Sequence, residues 1–181
     1  TPNAPLITDT EKRIFGLFGQ ATLGFYDTYF VEGSIRRDVS TALPSDNNTY
    51  WYPSVSMSAV ISNWSFLQGS ILNFGKIRAS YAVVGNDTAP NQLQNTYGVT
   101  TTFGTPTYVY NTTAKNPNLK PEKTKSVEAG INLQFFKNRV GIDFGWFKND
   151  TSDQILALPV TLASGNSAKF QNVGNMRSEG L

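Results

Sequence analysis

The run VEAGINLQFFKNRVGIDFGW, residues 127–146, decides the fold class. Val127, Ala129, Ile131, Leu133 and Phe135 alternate with Glu128, Gly130, Asn132 and Gln134, and Lys137 with Asn138 turns the chain. On the return, Val140, Ile142, Phe144 and Trp146 alternate with Gly141, Asp143 and Gly145. Successive side chains of a strand point to opposite faces, so a period of two on both sides of a tight turn predicts an antiparallel hairpin with one apolar face.

The same pattern extends through most of the chain. Phe15, Leu17, Gly19, Ala21, Leu23 and Phe25 form one side of a first strand, and Tyr26, Asp27 and Thr28 make a short turn. Tyr29, Val31, Gly33 and Ile35 then alternate with Glu32, Ser34 and Arg36, which completes a second hairpin. Val55, Met57, Ala59 and Ile61 stand against Ser54, Ser56 and Ser58, and after a connection from Asn63 to Asn73, Ile77, Ala79, Tyr81 and Val83 stand against Lys76, Arg78 and Ser80. That makes six candidate strands, each near the roughly 9–11 residues that cross a bilayer at a tilt. Connections near Tyr26 and Lys137 are tight, while those starting at Arg37, Gly85 and Asp153 are long and rich in turn residues. The stretch from Gly85 to Lys125 shows no long strand, and Leu156 to Ala163 is a weaker strand candidate. Short and long connections at opposite ends are a property of outer-membrane barrels.

Composition narrows the class. Of 181 residues only 15% are charged, against about 25% in ordinary soluble domains, while 13% are aromatic and the net charge is +2. These values exclude a highly charged disordered chain and a basic nucleic-acid binder. The absence of cysteine and histidine removes disulfides, thiolate or imidazole metal sites and the Ser-His-Asp arrangement. No apolar run is long enough for a transmembrane helix. The opening TPNAPLITDTEK and the closing Ser178 to Leu181 read as cuts inside a longer protein, without a signal peptide.

Alternation alone leaves open which face meets water. A soluble sandwich turns its apolar face inward, and a membrane barrel turns it outward. Two features favour the barrel. The polar faces carry Ser, Gly, Thr, Asn and Gln rather than dense charge, and aromatic residues gather at strand ends: Phe25, Tyr26, Tyr29 and Phe30; Tyr50, Trp51 and Tyr52; Phe135 and Phe136. The fold class expected is therefore all-β, with antiparallel up-and-down strands forming part of a large transmembrane β-barrel. The alternative is a secreted soluble β-sandwich, an adhesin or carbohydrate-binding module, with a glycoside hydrolase as a third reading.

The segment NPNLKPEK, residues 116–123, followed by Ser126, Glu128 and Gly130, resembles a pattern in the barrels of TonB-dependent outer-membrane receptors. Two prolines hold an extended entry, and Leu119 can anchor it. FGLFGQATLGFYDTYFVEGSIRRD, the run from Asp46 to Ser58, GKIRASYAVVGND, and KNDTSDQIL followed by PVTLASG resemble the SusC/RagA subfamily of Bacteroidetes nutrient importers. The resemblance implies that residues 1–181 are a partial barrel from the C-terminal half of a larger protein in the bacterial outer membrane, with plug, TonB box and signal peptide outside it. It further implies TonB-driven uptake of oligosaccharides or peptides beneath a SusD-like lipoprotein lid, with partners limited to that lid, TonB, outer-membrane lipid and the substrate, and no nucleic acid.

Glu32, Arg36, Lys76, Arg78, Glu128 and Asp143 lie on the polar sides of their strands and are the lumen-facing candidates; the plainer possibility is pairing between neighbouring strands. Tyr97, Phe103, Tyr108 and Tyr110 sit among Asn and Thr in the long connection, where aromatic faces with amide and hydroxyl partners suit a sugar or a peptide. The plainer possibility here is a loop packed on itself or on the lid. No catalytic, metal or cofactor residue is assigned: Asp46, Asp87, Asp143, Asp150 and Asp153 are scattered over different segments, and no enzyme activity is expected. Five Asn-x-Ser/Thr sequons, at Asn47, Asn63, Asn86, Asn111 and Asn149, arise readily in a chain rich in Asn and Thr.

Overall fold

The computed structural model describes residues 9–68 and 71–181. The opening TPNAPLIT and the Gly69–Ser70 step of the connection after residue 63 lie outside the described residues.

Six long strands and one short one make a single antiparallel meander. They are β1 (Ile14–Phe25), β2 (Tyr29–Ser40), β3 (Thr49–Val60), β4 (Leu72–Asn86), β8 (Glu122–Phe135), β9 (Val140–Ser152) and β12 (Met176–Gly180), hydrogen-bonded in that order. The remaining strands belong to the long connections. β5 (Tyr97–Thr102) and β6 (Thr105–Tyr110) form a separate hairpin, while β7 (Thr113–Ala114), β10 (Ile155–Pro159) and β11 (Ala168–Asn172) form a three-stranded sheet in the order β10-β11-β7.

Several expectations need correction. The connection from Gly85 to Lys125 has no long strand of its own, but the short β5, β6 and β7 lie inside it. The candidate at Leu156 to Ala163 is a strand only as far as Pro159, and it pairs within the loop sheet instead of extending the wall. The seventh wall strand, Met176–Gly180, is short and has no apolar alternation; its pairing with β9 supplies what its composition does not.

Register settles which side chains share a face, since residues directly opposite one another project the same way. Leu23 faces Val31, Val31 faces Met57, Met57 faces Ala79, Ala79 faces Ala129 and Ala129 faces Trp146, so the apolar positions of six strands merge into one surface. No second sheet covers that surface among the described residues. Phe15 is 68% exposed, Leu17 65% and Met57 56%. A soluble sandwich built from these residues alone would bury them. At the roughly 40° tilt of outer-membrane barrels, a strand running from Phe15 to Phe25 would climb about 25 Å, the height of a barrel's apolar band.

The tight connections are all at one end. Tyr26 and Asp27 (φ 54° and 51°) close the first hairpin, and Phe136, Lys137 and Asn138 (φ 52°, 57° and 63°) close the β8–β9 hairpin. Non-glycine residues rarely adopt this left-handed region, and here side chains of neighbouring turns brace it. Asn63 Nδ2 donates to the Asp27 carbonyl at 3.0 Å, and the Lys137 backbone N–H donates to Asn73 Oδ1 at 2.6 Å. Trp64 Nε1 donates to the Tyr29 hydroxyl at 3.1 Å. The connections 41–48, 87–121 and 153–175 meet at the other end, opposite those at 26–28, 61–71 and 136–139.

Candidate functional site

The polar face and the loop end are the two places where this chain can meet a solute. On the polar face Phe18 opposes Arg36, Thr22 opposes Glu32, Ser58 opposes Arg78, Ser80 opposes Glu128 and Asn132 opposes Asp143. Lys76 opposes Val60 and Asn132. All six lumen-facing candidates therefore share one face, opposite the apolar belt. Ser56, Ser58, Lys76, Arg78, Ser80, Glu128, Gly145 and Phe147 line a shallow groove of about 560 Å³ along it.

Within this row the charges divide into held and free. Arg36 Nε donates to Asp38 Oδ1 at 2.8 Å along its own strand. Arg78 reaches over β8 to Asp143 on β9, with Nη2 at 3.2 Å from Oδ1, and Asn132 Nδ2 donates to the other carboxylate oxygen at 2.8 Å. Gly130 makes that reach possible: it opposes Arg78, and a Cβ there would lie 2.7 Å from Arg78 Nε. Glu32 accepts from Thr22 Oγ1 at 3.3 Å. Among the described residues, Lys76, Glu32 and Glu128 make no ion pair, and of these only Glu32 has a side-chain partner, the neutral Thr22 hydroxyl. The Arg78–Asp143 pair is exposed and screened by water, so it sets side-chain direction more than stability.

The loop end contains the one buried apolar cluster of the described residues: Leu43, Tyr50 and the fully buried Leu119, with Tyr52, Leu93, Ile155 and Phe170 packed against them. The NPNLKPE segment builds this knot. The Asn118 N–H donates to Asn116 Oδ1 at 2.9 Å, which bends the chain and drives Leu119 inward. Glu122 Oε1 accepts from the Ile155 N–H at 2.8 Å, while Asn172 accepts from the Lys120 N–H at 2.9 Å and donates to the carbonyls of Lys120 and Asp153. Nearby, Asp87 accepts from Lys12 and from the Ser40 hydroxyl, tying the ends of β2 and β4 together. Sequence reasoning marked Leu119 as an anchor but missed Asp87, Asn172 and the role of Glu122, whose partners come from distant segments.

The aromatic strand ends also separate. Tyr50 and Tyr52 turn to the polar face and join the knot, with ring centroids 5.0 Å apart. Trp51 alone of that trio lies on the apolar face, with the Arg37 guanidinium 5.8 Å from its ring. Tyr97, Tyr108 and Tyr110 share one face of the β5–β6 hairpin, and Phe103 stands fully exposed at its tip.

A family model described as "TonB dependent receptor-like, beta-barrel" matches residues 1–181. The chain belongs to this family. Receptors of this family are outer-membrane β-barrels of receptor and transport type, not enzymes, and the sheet described above is a stretch of such a wall. The chain is 28% identical to the TonB-dependent receptor SusC of Bacteroides thetaiotaomicron, over 95% of this chain and 18% of that protein. It is 29% identical to a TonB-dependent receptor of Formosa agariphila, over 93% of this chain and 18% of that one. Among solved structures it superposes on the RagAB peptide importer in its closed-closed state with a TM-score of 0.82 and 26% identity, covering 92% of this chain and 18% of that chain. These likenesses place the chain with SusC/RagA-type receptors. It spans under a fifth of the length of the relatives it matches. With the tight turns on the periplasmic side, as in such barrels, the knot and the β5–β6 hairpin are extracellular.

Proposed function

We propose that this chain is one partial-barrel domain, residues 1–181, of a TonB-driven importer that takes up oligosaccharides or peptides beneath a SusD-like lipoprotein lid. The observation that carries this reading is the single polar face bearing Glu32, Arg36, Lys76, Arg78, Glu128 and Asp143 behind a face of mainly apolar residues. A wall with lipid on one side needs water or protein on the other, and among the described residues Glu32, Lys76 and Glu128 present charge there without an ion partner. The likeness to the RagAB peptide importer and to SusC supports import and a lid as its context.

In this reading the six charged residues line the lumen, and TonB acts through parts of the protein outside this chain. Tyr97, Phe103, Tyr108 and Tyr110 meet the substrate at the extracellular mouth, where a tyrosine offers an apolar ring and a hydroxyl together. The chemistry is displacement and not bond breaking, which agrees with a site of scattered carboxylates.

Uptake of fluorescent peptides and of fluorescent maltooligosaccharides by cells carrying the full-length protein tests the reading. Accumulation of either class is expected, and it should vanish when TonB is deleted. Equal accumulation with and without TonB would overturn it.

A further inference from the structure

Charge is rare on the apolar, outward side of the wall, and what there is gathers in one place. Lys125 opposes Asp150, which opposes Arg177, and Val127 opposes Lys148, which opposes Glu179. Together with Lys123 these residues share the face of Val127, Ala129 and Trp146. Of the charged residues that face outward in the seven wall strands, only Arg37 lies elsewhere, against Trp51. The cluster begins at the face position after Trp146 and continues toward the loop end, so it occupies the extracellular rim. A tryptophan at such a boundary marks the membrane interface.

Four cations stand against two carboxylates here. Asp150 Oδ1 accepts from Arg177 Nε at 2.6 Å, and Asp150 Oδ2 lies 3.8 Å from Lys148 Nζ, so one carboxylate gathers two cations. Lys123 and Lys125 are exposed and, among the described residues, make no ion pair. A shallow pocket of about 420 Å³ opens beside them, lined by Lys125, Asp150, Ser152, Asn175 and Arg177. The outer face of a barrel tolerates cations near the interface, where they meet lipid headgroups.

We infer that this rim cluster binds the phosphate of a phosphorylated glycolipid in the outer leaflet, whose acyl chains lie on Val127, Ala129 and Trp146. The inference goes beyond import and does not depend on the cargo. Further strands of a barrel extend the sheet at its edges and leave its outer face to lipid. The cations adjoin that lipid-covered surface at the level of the headgroups, and their excess over carboxylates calls for a net anion. Lysine and arginine give phosphate oxygens charge-assisted hydrogen bonds, and a guanidinium can offer two N–H groups at once. A zwitterionic headgroup brings no net charge to neutralise the excess.

The test uses the full-length protein in detergent, monophosphoryl lipid A as probe, and native mass spectrometry to read the bound lipid. The double variant Lys123→Gln/Lys125→Gln removes the two cations without an ion partner and should raise the lipid Kd about twentyfold. Arg37→Gln, outside the cluster, should leave the affinity unchanged. Lipid A stripped of its phosphate should bind the unaltered protein far more weakly, which keeps the inference testable even if the double variant misfolds. Four results would overturn it: equal binding of the two lipids, unchanged affinity in the double variant with normal heat-modifiable migration, an equal loss in Arg37→Gln, or displacement of the lipid by equimolar inorganic phosphate, which marks a site for a free anion. Absence of lipid binding, with Lys125 protected from amine-reactive labelling, would show that another segment of the protein covers the cluster and would overturn it as well.

Discussion

The wall and the knot above it are stabilised by opposite means. The wall has hydrogen-bonded ladders along seven strands and side chains exposed on both faces, so its apolar surface depends on lipid to cover it. The knot has little regular structure, but it buries Leu119 completely and satisfies its loop backbone through Glu122, Asn116 and Asn172. A membrane wall obtains cohesion from the backbone and its environment from the bilayer, whereas a loop assembly in water must carry its own core. The difference teaches that one chain can follow membrane rules and soluble-protein rules in adjoining layers.

The largest expected effect strikes the knot. Leu119→Ala removes its most buried side chain and should cost about 2–5 kcal/mol of local stability. Limited proteolysis of intact cells should then cut within residues 87–121 while the barrel keeps its heat-modifiable mobility. Simultaneous loss of the barrel would show that wall and knot are one cooperative unit.

Next, the two faces of the wall can be set against each other. Ala129→Arg places a charge in the middle of the apolar belt, at about 2–4 kcal/mol. Folded protein in outer-membrane fractions should fall sharply. Ser56→Arg, on the polar face, should assemble normally, and equal losses for the two would sink the assignment of faces.

The smallest effect concerns Gly130. Gly130→Ala pushes the Arg78 guanidinium off β8 and breaks its pair with Asp143, with only a small change in stability because both partners are half exposed. In an Asp143→Asn background the glycine substitution should add nothing to the shift in unfolding temperature. An undiminished second shift would mean that Gly130 serves the backbone and not the arginine.

How much of this was legible in the sequence depends on the range of the interactions. The six long strands show in a window of ten residues because the alternation of Val127 to Phe135, or of Phe15 to Phe25, is itself the consequence of a surface with two solvents. β12 was not legible, since Met176–Gly180 is a strand only because β9 offers it an edge. The β5–β6 hairpin was hidden by its Thr-rich composition and by a Phe–Gly turn in place of the more familiar Asn–Gly. Among site residues, the common face of Glu32, Arg36, Lys76, Arg78, Glu128 and Asp143 followed from parity alone. Which of them are held and which are free did not.

The sequence by itself determined the all-β character, the apolar and polar faces, the end where long connections gather, and through NPNLKPE and its companion stretches the receptor family. Local periodicity carries that information, because each strand must suit lipid on one side whatever its neighbours are. Only the tertiary structure decided that Leu43, Tyr50 and Leu119 share a core and that Arg78 crosses Gly130 to reach Asp143. Those features depend on register and on loop ends brought together from distant segments, and no short window of residues contains both partners.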